Sequence, residues 1–293
     1  RDFCLSRGLG DVYKRQIQGG LIMKFKLFAS VCVAAGLAFG LAGCGDDNAP
    51  KSGDAKTLTV GASPVPHADI LNLIAPQLQK EGITLKVIEF SDYIQPNLSL
   101  NDKELDANFF QHKPYLDSFS KDRGLKLTSL VAVHIEPMGV YSHKVKNVAD
   151  VAEGSEVAIP NDPTNGGRAL KVLETAGLIK VRPEAGVTAT INDVVDNPKK
   201  IKFREIEAAQ LPRALDDVAL AVINSNYALG AGLNPVKDAL AIESKDSPYA
   251  NIVAIRTGDD SRAEIQKLKA ALTSAEVKKF IETEYKGAVV PAF

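Results

Sequence analysis

The sequence predicts an α/β protein of two lobes, each a mostly parallel sheet flanked by helices. Three observations lead there. Strand-like and helix-like segments alternate along residues 57–293 in two successive series. Repeated strand–helix units build parallel sheets with helices on their faces. Finally, 45% hydrophobic residues in a 293-residue chain suffice for a large core or two smaller ones.

The first series opens with TLTVGA (57–62), a β-branched run. PHADILNLIAPQLQKEG then reads as a helix with Pro66 at its first position and Gly82 past its end. Pro76 predicts a kink or an early turn within it. ITLKVIEF (83–90) is the next strand, and YIQPNLSLNDKE is mixed and partly helical. LTSLVAVHIEPMGVYS (127–142) is a long apolar strand region carrying Pro137 and Gly139. In the second series, EVAIPND (156–162) is a strand, and the helix after it starts at a Gly pair and ends at Gly177. KIKFREIE, AAQLPRALDD and LAVINS read as strand, helix and strand. IVAIRT (251–256) is a late strand, and amphipathic helices near 261–273 and 274–286 finish the chain.

The stretch DANFFQHKPYL (106–116) concentrates three aromatic rings and a histidine in a chain without tryptophan. A continuous helix would place Pro114 in its interior, at a cost of ~3 kcal/mol. A short strand over LDANFFQ, an exit loop at Gln111–Lys113 and a helix from Pro114 to Gly124 cost less. Strand alternation then sends Phe109 to the core and Phe110 to the cleft, with His112 on the side of Phe110. Phe110, His112 and Tyr115 converge with Tyr93 from the preceding loop. An aromatic box with polar tips suits an apolar or soft side chain such as a thioether.

NDPTNGGRAL follows a strand and opens a helix, so its free backbone N–H groups favour an anion. Arg168 in the first turns is placed to clamp a carboxylate, and Asn165-Gly166-Gly167 lets the backbone approach a ligand. The plainer alternative is a surface arginine. Asn224 ends a buried strand and offers a donor and an acceptor, against the alternative of an Asx-turn or helix cap.

Of the four histidines, His67, His112, His134 and His143, none forms a His-x-x-x-His pair, and no metal or cofactor is expected. Residues 44–293 contain no P-loop, dinucleotide fingerprint or Gly-x-Ser-x-Gly elbow, so no catalytic residue is assigned. Those residues carry 29 Lys and Arg against 34 Asp and Glu, a net charge of about −5 that argues against nucleic acid.

Residues 1–22 resemble adaptor-derived sequence and are set aside from the fold. From Met23, a basic start, the apolar run LFASVCVAAGLAFG and LAGC resemble a bacterial lipoprotein signal over 23–43. This implies cleavage before Cys44 and acylation of it, each buried methylene adding ~0.8 kcal/mol of membrane affinity. Residues 44–56 read as a polar tether. Cys44 is the only cysteine after the leader, so no disulfide is expected.

FSDYIQPN, DANFFQHKPYLD, AIPNDPTNGGRAL, VVDNPKK, EAAQLPRALDD, LAVINSNYA and ESKDSPYANIV resemble the NlpA/MetQ-type methionine-binding lipoproteins of bacterial ABC importers. The resemblance spans nearly the whole chain after Cys44. It implies a type II periplasmic-binding-protein fold that closes over L-methionine or a close derivative. It implies lobe 1 over 57–144 plus 246–293 and lobe 2 over 145–245, with crossings near 140–146 and 244–250 as the hinge. In such a protein Tyr93, Phe110, His112 and Tyr115 hold the side chain. Arg168 binds the α-carboxylate, and Asn165 and Asn224 bind the backbone end of the ligand. Implied partners are an ABC permease with its ATPase subunit, and the membrane through the lipid, on the periplasmic or extracellular side. Glu136 and Met138, in HIEPMGVYS, stand where relatives vary and are expected at the pocket edge. The family also includes binders of a glycyl-methionine dipeptide, and a lipoprotein with a mainly adhesive role is the alternative from another class.

Overall fold

The computed structural model describes residues 56–244 and 247–293. The leader, signal sequence, tether up to residue 55 and Cys44 lie outside the described residues.

The first lobe is built on a six-stranded sheet. Its strands are β1 (Lys56–Ala62), β2 (Ile83–Glu89), β3 (Ala107–His112), β4 (Leu127–Ile135), and from the far end of the chain β12 (Ala250–Arg256) and β13 (Val290–Pro291). The spatial order is β13-β4-β12-β3-β1-β2. β1 pairs parallel with β2 and β3, whereas β12 runs antiparallel between β3 and β4. Helices α1 (Asp69–Lys80), α6 (Ala263–Leu272) and α7 (Ala275–Tyr285) cover one face. They close a core with Leu58, Val60, Phe109, Ile70, Ile74, Leu268 and Ile281 buried within it. Helices α2 (Gln95–Asn101) and α3 (Lys113–Arg123) lie beside β3. Asn97, Asn108 and Gln111 lock α2 to β3 through buried amide hydrogen bonds of 2.7–2.9 Å.

The second lobe carries five strands in the order β11-β5-β10-β6-β9. These are β5 (Gly139–Tyr141), β6 (Glu156–Pro160), β9 (Lys202–Ile206), β10 (Leu220–Ile223) and β11 (Ala241–Ile242). β6, β9 and β10 are parallel and β5 is antiparallel to β10. Helix α4 (Pro163–Thr175) packs its Leu170 and Leu173 against this sheet. Helix α5 (Ser225–Gly230) follows β10, and a hairpin of β7 (Lys180–Val181) and β8 (Val194–Asp196) lies beyond α4. The two-lobed α/β fold is therefore the one expected.

Four local expectations are corrected. The first helix begins at Asp69: Val65 is extended (φ −123°, ψ 136°), which sets Pro64–Ala68 apart as its own turn. The helix then continues through Pro76, an exposed residue, and Asn72, whose carbonyl loses its helical donor there, is exposed as well. The run 127–142 divides at Glu136–Met138, so Gly139–Tyr141, expected with the first lobe, pairs into the second sheet. Pro137 has no N–H to extend the ladder there. Ala208–Asp216 is a 3₁₀ rather than an α-helix, with Pro212 inside it.

Candidate ligand-binding site

β3 ends the first lobe's contribution to the pocket. All six of its residues are buried, and alternation divides them as expected. Phe109 lies in the core, edge-on to His67 (4.7 Å between centroids) and His134 (5.2 Å). Phe110 emerges on the other face into a cluster with Tyr115 and Phe119. Strand passes directly to helix, without the expected exit loop: β3 runs to His112 and α3 starts at Lys113, with Pro114 in its first turn and Gly124 (φ 67°) closing it.

His112 has two jobs. Its Nδ1 accepts the Tyr115 backbone N–H (3.1 Å), capping α3. With Nδ1 an acceptor, the ring carries its proton on Nε2, which donates to Asn165 Oδ1 at 3.2 Å. Burial, and then the nearby Arg168 charge, lower its pKa to about 3, so the ring is neutral. The histidine is a fixed polar tip in the wall.

Tyr93, Phe110 and Tyr115 form the aromatic box, with centroids 5.8–6.1 Å apart in tilted and edge-on arrangements. Their hydroxyls are tied down. Tyr115 donates to the Tyr93 carbonyl (2.9 Å), and Tyr93 donates across to Asn226 Oδ1 of the second lobe (2.6 Å). Burial pushes the Tyr93 hydroxyl well above its ordinary value, so it stays a donor.

The opposite wall comes from the strand ends of the second sheet. Asp162 caps α4 by accepting the Asn165 backbone N–H (2.9 Å) and also holds the Asn165 amide nitrogen (2.9 Å to Oδ2). That orients Asn165 Oδ1, which accepts from both His112 and Asn224 Nδ2 (2.7 Å). Asn224 stands at the start of α5 but makes no cap bond, leaving its side chain to the site. Its Oδ1 is buried with no partner among the described residues. Gly167 is needed because a Cβ there would lie 2.5 Å from the Val187 carbonyl oxygen.

Arg168 is 3% exposed. Its Nε and Nη2 grip the Glu243 carboxylate at 2.5–3.1 Å, and Nη2 also donates to the Glu136 carbonyl (2.7 Å). Tyr249 stacks 4.5 Å from the guanidinium carbon. Nη1 has no partner among the described residues, and Arg168 lines a cavity between the lobes. The clamp is thus braced along one edge and open along another.

The cavity is lined by all seven residues expected: Tyr93, Phe110, His112, Tyr115, Asn165, Arg168 and Asn224. Sequence reasoning did not place Gln111, Ser225, Asn226 and Asn251 there. It left Glu136 as a residue of the pocket edge, whereas it is buried in the wall and lines the cavity. Nor did it find Glu243 behind Arg168, 75 positions away. His67, His134 and Glu136, which no metal-ligand spacing in the sequence joins, bring one donor atom each within 4.8 Å of one another. This is a donor set that metals use, but the 2.7 Å from His134 Nε2 to Glu136 Oε1 is a hydrogen bond.

An aromatic box facing a braced guanidinium and a pair of amides, between two lobes, defines a binding protein for a small solute. Residues 58–293 match the NlpA lipoprotein family profile. The chain is 41% identical over 272 residues to the D-methionine-binding lipoprotein MetQ of Escherichia coli, covering 92% of this chain and 99% of the relative. A nutrient-binding protein from Burkholderia cenocepacia, solved bound to methionine, superposes with a TM-score of 0.78 at 48% identity, over 80% of this chain and all of that one. An ABC-transporter periplasmic substrate-binding protein from Coxiella burnetii gives 0.77 at 40% identity, over 80% and 100%. The chain belongs to the NlpA lipoprotein family, whose members are substrate-binding proteins of transporters and not enzymes.

Proposed function

We propose that this chain is a lipid-anchored solute-binding protein that captures methionine outside the cytoplasm and delivers it to an ABC permease and its ATPase. The observation that carries the reading is the pairing of Arg168 with the Tyr93–Phe110–Tyr115 box across one cavity. The guanidinium suits a carboxylate, and the box suits a thioether chain. Asn165 and Asn224 hold the backbone end. Relatives named or solved with methionine support the choice of ligand. Cys44 carries the acyl anchor, and residues 44–56 let the binding lobes reach the permease. The lobes move about the two links that leave the second sheet at residues 136–138 and 243–244, where the Glu243 backbone N–H donates to the Met138 carbonyl at 2.9 Å.

Calorimetry on residues 45–293, after unfolding and refolding to strip carried ligand, tests this. L-methionine releases heat with a defined stoichiometry, and D-methionine measured beside it reports chirality. No binding of either sinks the ligand. Arg168→Ala weakens binding by about 2–5 kcal/mol if the carboxylate clamp is right; unchanged affinity refutes the clamp. An unmodified Cys44 in membrane-extracted protein refutes the anchor.

A further inference from the structure

Glu243 and Tyr249 grip and stack on Arg168, and both also line a second cavity that the proposed function does not use. It holds about 480 Å³, inside the range of roughly 300–1,000 Å³ of small-molecule sites. Its walls are α4, the stretch from Val181 to Ala189, and the link that carries Glu243 and Tyr249. Fixed contacts frame the space. Gly167 lets the Val187–Ala189 backbone close on α4, where a Cβ would meet the Val187 carbonyl oxygen at 2.5 Å. Glu174 accepts the Val181 backbone N–H at 2.9 Å, and the Arg182 backbone N–H donates to the Asp193 carbonyl at 2.8 Å.

The lining has two characters. Val172, Val181, Val187, Ile242 and the Tyr249 ring make most of it apolar. Val187 is 45% exposed and Ile242 40%, and large apolar side chains left in water within a concave site mark a ligand with an apolar body. The carboxylates on the wall are already engaged. Glu243 holds Arg168 and accepts the Met138 backbone N–H at 3.2 Å. Glu174 holds Val181 and Lys171. The cations are not. Arg182 lies 3.8 Å from both Glu184 and Asp193, beyond hydrogen-bond reach. Lys171 donates to Glu174 and keeps spare ammonium protons among the described residues. What the wall has left to offer a polar group is therefore positive charge, which suits a carboxylate.

We propose that this cavity is a second, regulatory site for a small amphiphilic carboxylate, which tightens the arginine clamp by holding Glu243 and Tyr249 against Arg168. The chain of the ligand lies on Val187, Ile242 and Tyr249, and its anionic head meets Arg182 and Lys171. The site stands apart from the methionine reading, whereas its coupling to the clamp rests on that reading. Coupling between two sites is reciprocal, so methionine tightens the second ligand by the same factor.

The test is calorimetry with octanoate, below its micelle concentration, on protein stripped of carried ligand. One octanoate binds per chain, and saturating methionine tightens it about fivefold or more. Octylamine, with the same chain and a cationic head, binds at least about tenfold more weakly. Arg182→Ala weakens octanoate about tenfold, and so does Val187→Asp, which sets a carboxylate in the groove. Both side chains are solvent-exposed or partly so, and both variants leave the affinity for methionine alone within about twofold. Either variant suffices. Absence of saturable octanoate binding overturns the proposal, and so does binding that neither variant changes. Displacement of octanoate by methionine puts the probe in the methionine cavity and overturns it too. Equal affinity for octylamine removes the carboxylate. A parent that binds both ligands without mutual effect overturns the regulation. A parent that binds octanoate here but no methionine overturns the methionine reading and the coupling, and leaves the site.

Discussion

Phe109 and Phe110 leave β3 on opposite faces, and that decides what each does when removed. Phe109 is fully buried in the first core, so Phe109→Ala lowers stability by about 3–5 kcal/mol in urea unfolding. Phe110→Ala opens the aromatic box, and its main effect is a loss of methionine affinity in calorimetry. Equal effects on both measurements would refute the assignment of faces. Alternation around Pro114 made this division legible in the sequence, because both signals are local. Glu243, Glu136 and Asn251 were not legible as parts of one site. Their partners stand 75, 69 and 184 positions away, respectively Arg168, His67 and His67, and no local pattern encodes such a contact. The buried histidines also have a titration consequence. His67, His112 and His134 have pKa values lowered from 6.5 to about 4, 3 and 3. A lowered histidine binds its proton in the unfolded chain first, so it carries no penalty above 6.5 and a growing one as pH falls toward the folded value. Each contributes a slope of about 1.4 kcal/mol per pH unit in that window. The raised Glu136 and Asp162 carboxyls pull the other way, so the comparison to make is between parent and His67→Gln. Urea midpoints followed from pH ~7 to ~4 fall less steeply in the variant.

At the scale of elements, α4 links the cap, the clamp and the loop beside it. Asp162 holds both the helix start and the Asn165 side chain, so Asp162→Ala costs about 0.5–2 kcal/mol of stability and also weakens binding by releasing Asn165. A stability loss with unchanged affinity in calorimetry would show that Asn165 is held by other partners. Gly167→Ala acts through packing, since its Cβ would meet Val187 O at 2.5 Å and Ala189 N at 2.9 Å and push α4 away from that loop. PTNGGR showed both features in advance: a helix start for an anion, and glycines for close approach. What it did not show was the partner of the glycine, a backbone 20 or more positions downstream. The element errors have similar causes. Pro137 ended a strand that composition alone would continue, and Val65 adopted an extended conformation inside a segment with a helical start signal.

Across the whole molecule, the lobes meet through direct bonds. Tyr93 reaches Asn226, His112 reaches Asn165, and the Tyr227 hydroxyl donates to the Ser91 carbonyl at 3.1 Å. Tyr227 does not line the cavity, so Tyr227→Phe tests the closing contacts apart from the pocket. It weakens methionine binding roughly two- to fivefold, mostly through faster dissociation in stopped-flow or surface measurements. An unchanged off-rate removes the contact from the closing surface. The links between lobes leave the second sheet from neighbouring strands, with Ala241 opposite Val140 and Ile242 opposite Gly139, so the two crossings start side by side. Lobe closure is what the family resemblance implies, but only the structure shows that β5 and β11 pair beside the crossings. The position of β12 has one more consequence, for the birth of the protein. This strand fills the gap between β3 and β4 at the centre of the first sheet, yet it lies at Ala250–Arg256. A ribosome must translate most of the chain before that gap closes, so the facing edges of β3 and β4 stay open until then. The first sheet is therefore completed only when the last sixth of the chain has been made, which ties the folding of the first lobe to its most distant contact in sequence.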